Sequence, residues 1–272
     1  MQAIIFDLDD TLIPESSSLR RALLRTAGEA RRRFGVDPAA FSKAVLQHAG
    51  QLWAEAPTAE YCERLGIAAW EGLTSGFTHF GDHDGDADRR YLREWAPSYR
   101  QQAWKRALDD FNAGDWMAAC VLAERFRTDR FEMHVPHDGA HEVLDGLEQR
   151  GYTLAVLTNG PADLQAQKLV KTGLKRHFDN ERTFISGALG LGKPDLELFR
   201  HVLERLSIEP REAVMVGDSV YRDIDPALAS GMNAIWMRNG RSDDLLEASV
   251  PRVDTLEALP DAIETMEERQ RG

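Results

Sequence analysis

Two cysteines, Cys62 and Cys120, are all that 272 residues carry, too few for a disulfide framework or a cysteine-based zinc site. No apolar run approaches the ~20 residues needed to span a bilayer. The amino terminus, "MQAIIFDLDD", lacks the basic start and long apolar stretch of a signal peptide, which predicts a cytoplasmic protein. Basic residues are in deficit too: 33 Lys and Arg stand against 45 Asp and Glu, a net charge of −12. That balance argues against nucleic acid and against an anionic membrane as bulk partners. It also repels a phosphorylated substrate, so a site for one must supply its own positive charge. Internal repeats and low-complexity segments are missing. What is there is 43% hydrophobic and 29% charged, in a chain that can hold one large domain or a core plus a smaller one.

Five short β-rich runs stand out: "AIIF" (3–6), "YTLAVLTNG" (152–160), "TFISG" (183–187), "AVMVGDS" (213–219) and "NAIWMRNG" (233–240). Their near-continuous hydrophobicity suits strands buried on both faces of a parallel sheet. Helical patterns lie between them. "HDGAHEVLDGLEQRG" takes Asp138 as N-cap and Gly151 just past its end. "PADLQAQKLVKTG" places Pro161 in the first turn and stops at Gly173. "KPDLELFRHVLERLS" sets Leu196, Phe199, Val202, Leu203 and Leu206 on one face. The alternation predicts an α/β fold with a doubly wound parallel sheet. Reactive groups then gather beyond the carboxyl ends of the strands, at a topological switch point.

One long interruption separates the first strand from the second. "SSSLRRALLRTAGEARRRFG" runs from a serine cap to Gly35, and "DPAAFSKAVLQHAGQLWAEA" has Asp37 as cap and Pro38 at the first helical position. Helical patterns continue at 58–65, 88–111 and 115–127. The expected division is a core of residues 1–14 and 133–272 and an all-helical insertion of residues 15–132, placed over the strand ends.

The first strand ends by crowding three carboxylates, Asp7, Asp9 and Asp10, into "DLDD". In an extended strand end Asp7 and Asp9 point the same way. Two carboxylates there suit a nucleophile paired with a general acid/base. They equally suit a hard divalent cation such as Mg²⁺, which takes oxygen ligands. "MVGDSVYRDID" brings Asp218, Asp223 and Asp225 after another strand. If that strand neighbours the first, Asp218 faces Asp7. Positive charge and donors come from Lys193 in "GLGKPD" and from Thr158 and Asn159 in "LTNG", each just before a helix that favours anions.

These motifs, "DLDDT", "LTNG", "GKP" and "GDSVYRD" in that order, resemble those of the haloacid dehalogenase superfamily of hydrolases, in its phosphatase form with a helical cap inserted after the first motif. The resemblance implies a phosphohydrolase that acts on a small phosphorylated metabolite through an aspartyl-phosphate. It makes Asp7 the nucleophile and Asp9 the general acid/base. Mg²⁺ is then held by Asp7, the backbone carbonyl of Asp9 and Asp218, with Asp223 supporting the metal shell or Lys193, or only capping the helix that runs to Gly231. Thr158 and the Asn159 backbone bind phosphoryl oxygens, and Lys193 offsets charge on the intermediate. Asp10 is structural, and Thr11 helps to position Asp9.

Rival readings are a phosphomutase or a haloacid dehalogenase on the same fold, and a non-catalytic metal-binding regulatory protein. A dehalogenase needs neither metal nor an acid/base at Asp9, so "DLDDT" argues against it. "THFGDHDGDADRR" (78–90) alternates Asp82, Asp84, Asp86 and Asp88 like a calcium loop. An EF-hand needs Gly at position six and Glu at position twelve; Ala87 and Arg93 stand there, so a mobile acidic loop is expected, with His79 and His83 solvated or ligating. Of the six tryptophans, 53, 70, 95, 104 and 116 fall in the insertion; most are expected to pack helices, with stacking of one on a substrate ring as the alternative. Arg31–Arg33 reads as a solvated helix face.

Overall fold

The computed structural model describes residues 1–78, 87–113, 115–240 and 250–271. Among them six strands form one parallel sheet: β1 (Ala3–Phe6), β2 (Thr153–Thr158), β3 (Thr183–Ile185), β4 (Ala213–Gly217), β5 (Asn233–Met237) and β6 (Arg252–Val253). Their spatial order is β3-β2-β1-β4-β5-β6. Between β1 and β2 run α1 (Glu15–Phe34), α2 (Pro38–Ala54), α3 (Ala59–Leu65), α4 (Ala69–Gly72), α5 (Ala87–Asp110), α6 (Trp116–Met133) and α7 (Ala140–Gln149). The later strands alternate with α8 (Ala162–Lys171), α9 (Ser186–Leu189), α10 (Leu196–Leu206) and α11 (Asp225–Ala229), and α12 (Leu259–Arg271) follows β6. The chain winds outward from β1 in both directions, so the switch point lies between β1 and β4.

Strand alternation builds two cores from one sheet. Ile4, Phe6, Val156, Val214 and Ile235 face one layer, closed by Leu144 of α7 and Ile263 of α12. Ile5, Ala155, Met215 and Trp236 face the other, closed by Phe199 and Val202 of α10. The inserted helices α1–α6 have a hydrophobic core of their own, drawn entirely from residues 22–126. Trp104 is fully buried there, its ring centroid 5.8 Å from Phe41 and 5.6 Å from Phe126. Trp53 and Trp95 pack about Tyr99. Trp70 and Trp116, by contrast, are exposed. No described helix is long and apolar enough to cross a membrane.

Several helix ends differ from expectation. No serine caps α1; its N-cap is Pro14. Asp10, in the left-handed region at φ 58°, instead accepts from the N–H of Ser16 at 2.9 Å and from its hydroxyl. The N-cap of α7 is Gly139 rather than Asp138, and Pro161 is the N-cap of α8 rather than part of its first turn. Asp37 does cap α2, accepting from Ala40 N at 2.8 Å. Leu196 is exposed and Leu198 buried, because Leu196 is the first residue of α10, directly after the capping Asp195. α4 and β6 were invisible to pattern reading, being only four and two residues long. The acidic stretch with Asp82, Asp84, Asp86, His79 and His83 lies outside the described residues; Arg31–Arg33 are exposed.

Candidate active site

Asp7 follows β1 directly, its N–H bonded to Val216 O of β4 at 2.9 Å. Its buried carboxylate accepts from Lys193 Nζ at 2.6 Å on Oδ1 and from Thr11 Oγ1 at 3.1 Å on Oδ2. Thr11 thus braces Asp7 rather than Asp9. The chain turns back after Leu8, whose carbonyl accepts from Leu12 N and Ile13 N at 2.9 and 3.1 Å, and this turn carries Thr11 to the side of Asp7. Burial pushes Asp7 up to about 6, against the pull of Lys193.

Lys193 also donates to Asp223 Oδ1 at 2.6 Å. Burial works against its ammonium, but Asp223 and Asp7 outweigh it and hold Lys193 above the ordinary lysine range. Asn159 clamps the Lys193 backbone in both directions, its Oδ1 accepting from Lys193 N and its Nδ2 donating to Lys193 O, both at 2.8 Å. That side chain is committed, so only the Asn159 backbone is left to meet a ligand. Thr158 Oγ1 donates to Asn159 O at 3.2 Å and accepts from Gln165 Nε2 at 2.6 Å.

Asp223 does not cap α11. It sits in a single π-helical turn, Val220–Ile224, and its Oδ2 accepts from Ser219 N at 3.0 Å. Gly217 makes room for it: a Cβ there would fall 2.4 Å from the Asp223 carboxylate. Asp7, Asp218 and Asp223 offer oxygens all within 4.8 Å of one another. This all-oxygen donor set suits a hard divalent cation, and Lys193 offsets only one of the three charges. A second group, Asp145, Glu148 and His177, lies elsewhere on the core, and there Arg176 already pairs with Asp145 at 2.8 Å.

The site opens into a cleft of about 840 Å³. Asp7, Asp9, Thr158, Asn159, Lys193 and Asp218 line it from the core, so every residue expected from the motifs reaches one space. From the inserted helices come Glu15, Leu19, Trp70 and Glu71. The chain ahead of α4 packs close on the core: a Cβ on Gly192 would meet Arg64 O at 2.6 Å, and Ser186 Oγ donates to Leu65 O at 2.7 Å.

The motifs did not reveal what holds Asp9. Lys168 Nζ of α8 donates to both its oxygens, at 2.8 and 2.9 Å, and Gln165 Nε2 to Oδ2 at 2.9 Å. Lys168 also faces Glu15 Oε1 at 3.3 Å, and Arg130 pairs with the same oxygen. The one sequence signal was a pair of polar residues, Gln165 and Lys168, at helical spacing on a helix that packs against the sheet; both are fully buried. Burial pushes Asp9 up to about 6 despite Lys168.

Glu71 is the most displaced acid of the group. Its Oε2 accepts from Ala68 N at 2.8 Å, and burial, with Lys168 opposing, pushes it up to about 8. Between the ordinary carboxylate range and about pH 8 the unfolded chain gives up this proton and the folded chain keeps it, so stability falls as pH rises. Glu71→Gln keeps the hydrogen bond and removes the titration. Its unfolding midpoint should gain on the parent progressively from about pH 5 to about pH 8 in thermal melts; a difference independent of pH would show that Glu71 stays ionised.

A family model described as haloacid dehalogenase-like hydrolase matches residues 1–231. A phosphoserine phosphatase of Thermus thermophilus is 35% identical over 249 residues, covering 92% of this chain and 93% of its own. A glyceraldehyde 3-phosphate phosphatase of Pyrococcus furiosus is 29% identical over 273 residues, covering 100% of this chain and 95% of its own. In fold, a crystal structure of 2-haloacid dehalogenase from Pseudomonas syringae superposes with a TM-score of 0.60 at 24% identity, covering 98% of this chain and 99% of that one.

Proposed function

The chain belongs to the haloacid dehalogenase-like hydrolases, and from that premise we propose that it is a phosphatase cleaving a small alkyl phosphate through an aspartyl-phosphate on Asp7. One observation carries the choice of chemistry. Asp7 lies among carboxylates, with Asp218 and Asp223 in reach of one ion and Asp9 in the same cleft. A dehalogenase needs neither group. Both phosphatase relatives are named for phosphate monoesters of three-carbon compounds, which sets the expected size of substrate.

Asp7, Asp218 and the backbone carbonyl of Asp9 would hold Mg²⁺, which when bound supplies positive charge to the phosphoryl oxygens. In the first step an Asp7 oxygen attacks phosphorus, the bond from phosphorus to the alkyl oxygen breaks, and Asp9 gives its proton to the departing alkoxide. In the second step the Asp9 carboxylate takes a proton from water; the water oxygen attacks phosphorus and the bond to Asp7 breaks. Thr158 Oγ and the Asn159 N–H bind phosphoryl oxygens throughout, and Lys193, oriented by Asp223, offsets their charge. Residues 15–132 act as a cap over the core of residues 1–14 and 133–272 and exclude water from the first step.

Asp9→Asn tests this scheme. The amide cannot protonate an alkoxide, so alkyl phosphates should be cleaved slower by about 10²–10⁴-fold. An aryl phosphate such as 4-nitrophenyl phosphate leaves without that help, but water then lacks its base. Rapid quench should show about one equivalent of nitrophenol per enzyme followed by a stall, with phosphate on the Asp7 peptide by mass spectrometry. Steady parental turnover in Asp9→Asn would refute the acid/base assignment.

A further inference from the structure

Lys168 has no place in that scheme, yet it is the fully buried cation nearest to its acid/base. A buried ammonium is costly unless its protons are matched. Here it donates to both oxygens of Asp9, at 2.8 and 2.9 Å, and its charge also faces Glu15 Oε1 as an ion pair at 3.3 Å. The two carboxylates belong to different parts of the molecule. Asp9 sits at the carboxyl edge of the sheet, whereas Glu15 is the first residue of α1, where the chain enters the inserted helices. Glu15 is fixed to those helices through Arg130 of α6, which also donates to Ser18 Oγ at 2.9 Å. Its other oxygen, Oε2, is buried without a hydrogen-bond partner.

Asp9 is meanwhile crowded by like charge. Asp7 and Glu15 both act on it repulsively. A carboxyl so surrounded drifts toward solvent unless a cation holds it, and α8 supplies that cation from beneath. We propose that Lys168 is the positioning residue of the acid/base carboxyl: it fixes where Asp9 stands and, through Glu15, ties that placement to the inserted helices. The proposal rests on the phosphatase reading above. A movement of α1 away from α8 would break the ion pair of Lys168 with Glu15, leaving the ammonium and the Asp9 carboxylate free to shift together. Asp9 is therefore held in one place when the inserted helices are seated.

Lys168→Met, which keeps most of the stem and removes the charge, separates positioning from structure by leaving group. On an alkyl phosphate such as phosphoserine, kcat should fall by about 10²-fold, the lower range of acid/base effects, with little change in KM. On 4-nitrophenyl phosphate the rapid-quench burst of nitrophenol, which reports the first step alone, should slow by no more than a few-fold. Glu15→Gln keeps a hydrogen bond to Arg130 but drops the charge that anchors Lys168, so it should show the same ester-selective loss in smaller degree. Equal losses on the two esters, or none, would overturn the proposal. If Lys168→Met does not fold, Glu15→Gln decides by the same comparison. A parent enzyme that cleaves neither ester is a different result: it refutes the phosphatase reading itself, and the proposal falls with it.

Discussion

Asp7→Asn should leave no measurable turnover of any phosphate ester, alkyl or aryl. The amide is no nucleophile toward phosphorus, so the covalent route closes at its first bond. Its two neighbours in the cleft are committed: Asp223 is bound to Lys193 and Ser219 N, and Asp9 is gripped by Lys168 and Gln165. Removing a covalent nucleophile costs on the order of 10⁶-fold in turnover, below detection in a steady-state assay. The fold should survive. The introduced amide still offers an acceptor to Lys193 or to Thr11, and the packing volume barely changes. Circular dichroism and the unfolding midpoint should stay close to the parent's while rapid quench detects no phosphoenzyme. Retained turnover would place the nucleophile elsewhere and refute the assignment, whatever the family.

Removal of divalent metal should be nearly as severe. Three carboxylates whose oxygens lie within 4.8 Å of one another repel a phosphate dianion, and Lys193 offsets a single charge. Without a cation the substrate meets a negative floor in a protein already at −12. Activity should therefore disappear in EDTA and return with Mg²⁺, while Ca²⁺, larger and more loosely coordinated, should inhibit. A readout apart from activity is available. A ligand that binds only the folded chain stabilises it by about 2.7 kcal/mol at a hundred times its dissociation constant, so saturating Mg²⁺ should raise the unfolding midpoint. Asp218→Asn should abolish that rise. Full phosphatase activity in metal-free buffer would sink the metal assignment, and a midpoint rise that persists in Asp218→Asn would move the ion to other ligands.

Much of the site was legible because its parts are local. Asp7, Asp218, Lys193 and Thr158 each follow a short apolar run or open a turn before a helix, and a sequence shows such junctions directly. In a parallel sheet all those junctions fall on one edge, so recognising five strands was enough to predict that the four residues share a cleft. Asp37 capping α2 and Gly35 ending α1 belong to the same class: a cap depends on its own turn and on little else.

The misses occur where a side chain's partner is set by packing. Asp10, not a serine, meets the first turn of α1 because the chain reverses there. That reversal is also why Thr11 braces Asp7 instead of Asp9. Asp9 and Lys168 are 159 positions apart, and Glu15 and Arg130 are 115 apart. Periodicity registers Lys168 only as a polar residue on α8, and Glu15 only as an acid in the first turn of α1, where acids are ordinary. Hydrophobic period and local turn chemistry are enough to specify the sheet, the described helices between β1 and β2 and the carboxylates at the strand ends, because each depends on residues close together in the chain. Which buried charges meet is a different matter, visible only in three dimensions. Desolvated ions must find partners wherever α1, α6 and α8 come to rest, and that is fixed by the packing of whole helices, not by any residue's neighbours in the chain.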